Sequence, residues 1–340
     1  MLRLFDEPFA KHTTLGLGGP TREWWRLETT GEIVDAALEA DAHGTPIVVV
    51  GGGSNLVPAD ACFPGRVLHI ANKGVRFDGE CVHVAAGENW DDVVAQCVAL
   101  GLQGVECLSG IPGTAGATPI QNVGAYGQEV RDTVRAVEAY DREKRRLVTL
   151  TPAECAFSYR DSVLKRTTRW IVTRVTFGLT RAPVAATLRY AELAGALGAA
   201  DGVPLARVRE TVIALRRGKG MVVDPNDPES RSVGSFFTNP VVSEGELAAL
   251  EVRLGVRPPA FAFEDKYKVA AAWLIERAGF TKGYGDGRVG ISRKHSLALV
   301  NRGGGTTGEL VNLARVIRDG VRAKTGVELV AEPVLLGITL

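Results

Sequence analysis

A run of apolar residues, Ile47-Val48-Val49-Val50, stands between Pro46 and three glycines, which predicts a short buried strand over 46–50. Before it, 30–43 reads as a helix, because Thr29 with Glu32 makes a capping box and Gly44 follows as a stop. Apolar runs predict further strands over 67–70, 81–85 and 134–140. In 170–178, Trp170-Ile171-Val172-Thr173-Arg174-Val175-Thr176-Phe177 alternates in part, the pattern of a half-buried strand. Helices are predicted over 90–100, stopped by Gly101, and over 204–217, opened by Pro204 and followed by Gly218. Farther on, helices near 244–254, 268–278 and 307–324 accompany a strand over 297–300. The stretch 104–130 is rich in Gly, Pro, Thr and Ala and predicts a long ordered loop or a ligand-wrapping segment. The polar segment 218–233, with Pro225 and Pro228, reads as a linker or an active-site loop. No internal repeat is present. Strands mixed with helices, without regular β-α-β alternation, imply an α+β fold.

The chain has 340 residues, room for two or three domains. Its 40 basic and 39 acidic side chains leave a net charge of +1, which argues against a general nucleic-acid binder. A local basic pocket for a phosphorylated ligand stays open. No apolar run is long enough to span a bilayer, and the first residues lack a signal-peptide pattern, so a cytoplasmic protein is expected. None of the five cysteines (Cys62, Cys81, Cys97, Cys107, Cys155) forms a C-x-x-C pair, and the histidines show no metal spacing. Reduced, mostly buried thiols and no metal site are therefore expected. His43 reads as a local cap at a helix end, and Asp224 and Asp227 read as loop and turn residues.

Gly51-Gly52-Gly53-Ser54-Asn55 follows the 46–50 strand directly. Glycines allow backbone N–H groups to converge on an anion, and Ser54 and Asn55 add side-chain donors, an arrangement suited to a diphosphate. A tight turn is the competing reading. The dinucleotide fingerprint G-x-G-x-x-G is absent, and Pro58 opposes an immediate long helix. A second stretch, 109–127, offers small residues for close backbone approach: Ile111, Pro112, Gly113, Gly116, Ala117, Gly124 and Ala125. Thr118, Gln121, Asn122 and Tyr126 supply hydroxyls and amides for the polar rim of a heterocycle such as a flavin. In Gly234-Ser235-Phe236-Phe237-Thr238-Asn239-Pro240 one serine stands between a glycine and two aromatics. Its hydroxyl can meet a ligand in a water-poor pocket or bond to backbone.

These motifs occur in one order, with Thr13-Thr14-Leu15-Gly16-Leu17-Gly18-Gly19 before them, Tyr159-Arg160-Asp161-Ser162 between them and Glu332-Pro333 late in the chain. Over nearly its whole length the chain resembles the UDP-N-acetylenolpyruvoylglucosamine reductases. The resemblance implies a vanillyl-alcohol-oxidase-type FAD domain of two α+β subdomains, 1–70 (rejoined by 330–340) and 71–217. It implies a third, substrate-binding domain over 218–329. NADPH and FAD are the implied cofactors and UDP-N-acetylglucosamine enolpyruvate the implied substrate, the product being UDP-N-acetylmuramate. No His or Cys occurs in the 51–55 loop, so non-covalent flavin is expected. A monomer without nucleic-acid or membrane partners is expected. An FAD-linked oxidase sharing the flavin domain is the alternative.

The resemblance assigns three catalytic residues. Arg160 would grip the substrate carboxylate, or form an ion pair with Asp161. Ser235 would donate the proton. Glu332, here preceded by Ala331 and followed by Pro333, would hydrogen-bond the enolate or orient Arg160. The longer subtype of the family carries a tyrosine loop, matched here by Leu188-Arg189-Tyr190-Ala191-Glu192-Leu193, with an ordinary surface aromatic as the competing reading of Tyr190. Lys219, after Arg216-Arg217-Gly218, matches a lysine that meets phosphate or NADPH, although basic residues also favour a helix C-terminus. Tyr159, Asn239 and, within Arg293-Lys294-His295-Ser296, His295 complete the expected substrate contacts.

Overall fold

The computed structural model describes residues 1–340, and its contacts divide the chain into two compact units. The first comprises Met1–Glu7, Thr21–Gly53 and Phe63–Gly218; the second comprises Pro8–Pro20, Ser54–Cys62 and Lys219–Leu340.

In the first unit one sheet runs in the order Leu2–Pro8, Pro20–Leu27, Phe63–Ile70, Ile47–Val50. Val67 lies between Trp24 and Val48 in two parallel pairings. Parallel strands need a crossover, and helix α1 (Thr30–Ala42) carries the chain from Pro20–Leu27 to Ile47–Val50. Thr29 caps α1 by accepting from the Glu32 amide. The Glu32 carboxylate turns instead to the Glu28 amide and the N-terminal ammonium, so the expected capping box forms by half. His43 is the C-cap residue, its Nδ1 2.8 Å from the Glu39 carbonyl oxygen.

A second, antiparallel sheet runs in the order Arg146–Leu150, Val134–Asp141, Trp170–Gly178, Cys81–Ala85, Val75–Asp78. The Trp170–Gly178 strand is central and buried on both faces, with only Arg174 exposed. That corrects the half-buried expectation. Thr173 and Thr176 supply the polar alternation yet lie inside, their hydroxyls bonded to the Glu138 carbonyl and His83. Helix α2 (Trp90–Ala99) packs Trp90 beside Phe177 at a ring separation of 5.4 Å. After the short α3 (Pro152–Cys155), α4 (Ala191–Leu197) and α5 (Leu205–Gly218) form a satellite core with Cys107, Leu193, Leu197, Val208 and Val212.

The second unit holds two antiparallel three-stranded sheets, Ser232–Ser235, Ala298–Asn301, Val289–Ile291 and Val241–Val242, Lys266–Val269, Ala260–Phe263. Val334–Leu336 pairs in parallel with Leu56–Pro58. Helices α6 (Glu244–Leu254), α7 (Ala271–Arg277) and α8 (Thr307–Thr325) pack on them. The helix expected over 268–278 begins only at 271, because Lys266–Val269 is taken by a hairpin with Ala260–Phe263. Along α8, Leu310, Ala314, Ile317 and Val321 are fully buried, the stripe of an amphipathic helix. The Asp60 carboxylate accepts from the Thr307 and Gly308 amides, both at 2.8 Å, satisfying two orphan donors at the start of α8. No helix is long and apolar enough to cross a membrane.

Candidate active site

The two glycine-rich stretches meet inside the first unit. Residues 113–116 lie along the turn between the Cys81–Ala85 strand and α2. There the Trp90 amide donates to Gly113, the Ala115 amide to Glu88 and the Gly116 amide to Ala86, at 3.1, 2.8 and 2.9 Å. A Cβ on Gly116 would stand 2.4 Å from the Ala86 Cβ, so no side chain fits. A Cβ on Gly52 would stand 2.8 Å from the Gly113 Cα, and one on Gly51 2.3 Å from the Thr114 hydroxyl. The 51–53 turn therefore lies backbone-to-backbone on 113–114. Gly53 and Gly113 have φ of +61° and +118°. Ser54 and Asn55 continue this loop into the second unit, where the Asn55 carbonyl accepts from Val334.

Neither stretch contains an acidic side chain. Backbone amides, hydroxyls and small residues form the whole donor set, which suits a diphosphate and a flavin rim and repels neither. Ile111 packs on the main core of this unit. Thr118 is buried, with its hydroxyl donating to the Ala115 carbonyl at 2.8 Å. Pro112, Ala117, Gln121 and Ala125 are half-buried on the same segment. Asn122 is fully buried at φ +45°. Its amide donates to the Glu129 carboxylate and the Ser158 carbonyl, both at 2.9 Å, and its oxygen accepts from the Arg131 amide. With its side chain engaged on protein, Asn122 ties this loop to the turn that carries Arg160.

Arg160 itself has φ +55°, a conformation that costs about 1–3 kcal/mol and persists only where surroundings hold it. Its Nη2 donates to the Gly124 carbonyl at 2.7 Å, and a Cβ on Gly124 would meet Nη1 at 3.0 Å. Tyr159 lies under the guanidinium, 5.4 Å from it. The neighbouring Asp161 carboxylate pairs with Arg166. The structure thus brings Arg160 to the second glycine-rich stretch.

Tyr190 is exposed and stands against Tyr126, ring centroids 5.3 Å apart at 82°. Burial pushes the Tyr126 phenol up to about 12, and partial burial of the otherwise exposed Tyr190 raises its phenol in the same direction. Both remain neutral hydrogen-bond donors at physiological pH. Burial lowers the Arg216 guanidinium to about 10, against the pull of nearby Tyr126 and Asp91.

In the second unit Gly234, at φ +74°, turns the chain so that Phe236 and Phe237 enter the core at 0% and 1% exposure. The aromatics thus anchor the strand, and Ser235, its last residue, is half-buried and paired with Ala298. The Glu332 amide donates to the Phe236 carbonyl at 2.9 Å, and Phe237 pairs with Ala331. Ser235 and Glu332 therefore lie on adjacent backbone segments. Asn239 accepts the Ala271 amide at 2.9 Å and so caps α7 with its carbonyl oxygen. His295 sits in the 292–296 turn, its carbonyl accepting from Ala298. Beside it Lys294 pairs with Asp227 at 2.7 Å. Asp224 and Asp227 also close their own turns, accepting from Asn226 and Glu229. Lys219 is half-buried directly after α5.

Four polar residues beside these segments escape sequence reasoning. Glu106, fully buried, accepts from the Gly104 amide and from Gln128, while Gln128 accepts from the Cys107 amide. Asp91 and Arg209 form a bidentate ion pair at 2.5 and 2.8 Å. Asp91 and Arg209 stand at helix positions where a charged residue reads as solvated surface, and Glu106 and Gln128 lie in the stretch that reads as loop, so no local signal marks them.

A family model described as an FAD binding domain matches residues 25–150, and one described as UDP-N-acetylenolpyruvoylglucosamine reductase, C-terminal domain, matches 226–336. A UDP-N-acetylenolpyruvoylglucosamine reductase of Streptomyces coelicolor is 54% identical over 348 residues, covering 99% of this chain and 91% of the relative. One of Thermobifida fusca is 51% identical over 347 residues, covering 98% of each. The crystal structure of the Thermus caldophilus reductase superposes with a TM-score of 0.69 at 27% identity over 98% of both chains. With FAD-domain and reductase C-terminal matches on one chain and relatives of about half identity along its whole length, the protein belongs to the UDP-N-acetylenolpyruvoylglucosamine reductase family.

Proposed function

We propose that Arg160, Ser235 and Glu332 carry the chemistry of this chain, an FAD- and NADPH-dependent oxidoreductase that reduces UDP-N-acetylglucosamine enolpyruvate to UDP-N-acetylmuramate for peptidoglycan precursor synthesis. FAD, when bound, would supply the hydride chemistry, with NADPH as its reductant. Hydride addition at one carbon leaves negative charge on the other carbon and its carboxylate. Arg160, held by Gly124, grips that carboxylate and stabilises the charge as it develops. Ser235 protonates the carbanionic carbon at contact distance. A proton on the Glu332 carboxyl would let it donate a hydrogen bond to the enolate oxygen.

The 51–55 loop and residues Ile111, Pro112, Gly113, Gly116, Ala117, Thr118, Gln121, Gly124, Ala125 and Tyr126 hold FAD without a covalent bond, with Asn122 fixing the loop. Tyr159, Tyr190, Lys219, Asn239 and His295 bind the UDP-sugar. We assign the flavin to 1–70 with 330–340 and to 71–217, and the substrate to 218–329, in a cytoplasmic monomer without nucleic-acid or membrane partners. What supports the reading is the bond from the Glu332 amide to the Phe236 carbonyl, which runs the backbone at Glu332 beside the segment that carries Ser235.

Anaerobic mixing tests it. NADPH is expected to bleach the yellow protein and the UDP-sugar to restore its colour. Recovery only on admitting oxygen would favour an FAD-linked oxidase.

A further inference from the structure

The α4–α5 segment, which carries Tyr190 at its start, has its own small core and packs on the Glu106–Leu108 turn and on α2. A polar tie joins α5 to the flavin loop. Arg209 on α5 grips both oxygens of Asp91, and the same carboxylate accepts the Gly110 amide at 2.6 Å. Gly110 has φ +70° and is the last residue before Ile111-Pro112-Gly113. Asp91 lies in the first turn of α2, where the helix dipole favours a negative charge. Burial opposes ionisation, but the Arg209 and Gly110 hydrogen bonds outweigh it and hold the carboxyl below its ordinary range. Three elements thus meet at one carboxylate: α2, α5 and the entry to the flavin loop.

We propose that Asp91 and Arg209 are positioning residues for the flavin, their ion pair holding Gly110 and so the 111–113 backbone against which Gly52 packs. This rests on the reading that 51–55 and 111–113 hold FAD. Neither side chain needs to touch the flavin. A charge-assisted, bidentate pair fixes direction as well as distance, so losing it frees Gly110 to turn and the loop to part from the 51–53 turn. The effect is expected to fall on flavin binding more than on the fold, because the satellite core of α4 and α5 is built from apolar side chains and includes neither member of the pair.

The test is FAD affinity of the full chain, read by the fluorescence of released flavin, for Arg209→Met, Asp91→Asn and the double variant. Each single change is expected to loosen FAD about tenfold, and the double variant to be no looser than either alone, because both break one unit. The visible circular dichroism of variants saturated with FAD is expected to shift from that of the parent, a sign of an altered flavin setting that a general loss of stability would not give. Arg209→Lys keeps the charge and loses the bidentate grip. It is expected to fold like the parent and to bind FAD with intermediate affinity, which covers the case of a misfolded Met variant. Single variants that bind FAD within twofold of the parent, or a double variant whose loss is the product of the singles, overturn the proposal. A parent chain that takes up no FAD overturns the functional reading first and this inference with it.

Discussion

The amide of Glu332 donates to the carbonyl of Phe236 across 2.9 Å, placing a residue from the last ten of the chain beside the one that follows Ser235. Because Phe236 and Phe237 are locked in the core, this bond fixes Ser235 on a rigid strand. A rigid hydroxyl suits proton donation, which depends on contact geometry. Ser235→Ala is therefore expected to lower kcat by about 10²- to 10⁴-fold, the usual range for general acid catalysis. Bleaching of the flavin by NADPH should persist, since that half-reaction needs no proton on substrate carbon. Stopped-flow measurement of the two half-reactions checks this. A Ser235→Ala enzyme with unchanged turnover would remove Ser235 from the mechanism.

Arg160 presents a separate test, because its guanidinium is held by the Gly124 carbonyl and its backbone is left-handed. Lysine keeps the charge but not the fork. Arg160→Lys is expected to lower kcat/KM about 10- to 100-fold, the equivalent of one lost charge-assisted hydrogen bond of about 1.5–3 kcal/mol. Flavin reduction by NADPH and the melting temperature should change little. Steady-state kinetics with calorimetry separates the two effects.

The glycine contacts divide a cofactor effect from a fold effect. A methyl on Gly52 meets the backbone of Gly113, but Gly52 is exposed, so the strain is relieved when the two loops part. Gly52→Ala is expected to weaken FAD about tenfold while the apoprotein melts within about 3 °C of the parent. Gly116 is buried against Ala86, and no loop can move away. Gly116→Ala is expected to lower the apoprotein melting temperature as well, overpacking costing about 1–3 kcal/mol. Flavin titration and apoprotein calorimetry on the same two variants decide the matter.

Much of this molecule was legible in the residues because local chemistry specified it. Capping at Thr29, the stops at Gly44 and Gly101, and the helix over 244–254 depend on neighbours within one turn. The 268–278 reading failed at its start because Tyr267 and Lys268 pair with Phe261 and Ala262, residues whose pairing no local pattern announces. The Trp170–Gly178 strand misled for a related reason. Its threonines imply a wet face, but their hydroxyls are satisfied inside by Glu138 and His83. At the site, residue types and order named the motifs, whereas the joining of Gly52 to Gly113 and of Asp91 to Arg209 depends on tertiary packing across long stretches of chain.

Thiol chemistry gives the last test, and it does not depend on flavin. Cys62 is exposed and Cys81 half-buried, whereas Cys97, Cys107 and Cys155 are buried. Burial pushes Cys97 and Cys107 up to about 12 and Cys155 to about 11, from an ordinary value of 9.0. At pH 8 a disulfide reagent should modify Cys62 quickly and Cys81 more slowly, leaving the other three until the chain unfolds, because the thiolate is the reactive form. The same shifts set a pH dependence of stability. A folded-state value raised above the unfolded one means stability that is whole below about pH 9 and is lost as pH rises toward 11–12. Between pH 9 and 10 the unfolded chain sheds thiol protons that the folded chain keeps, so each buried thiol adds a slope of up to about 1.4 kcal/mol per pH unit. Tyrosines add to the fall only above their ordinary value of 10.0. Urea midpoints taken across pH 8–10 should therefore drop beyond pH 9, and a Cys97→Ala, Cys107→Ala double variant, less stable at pH 8 through its cavities, should show a shallower decline. An equal slope in parent and variant would mean that these thiols titrate alike in the folded and unfolded chain.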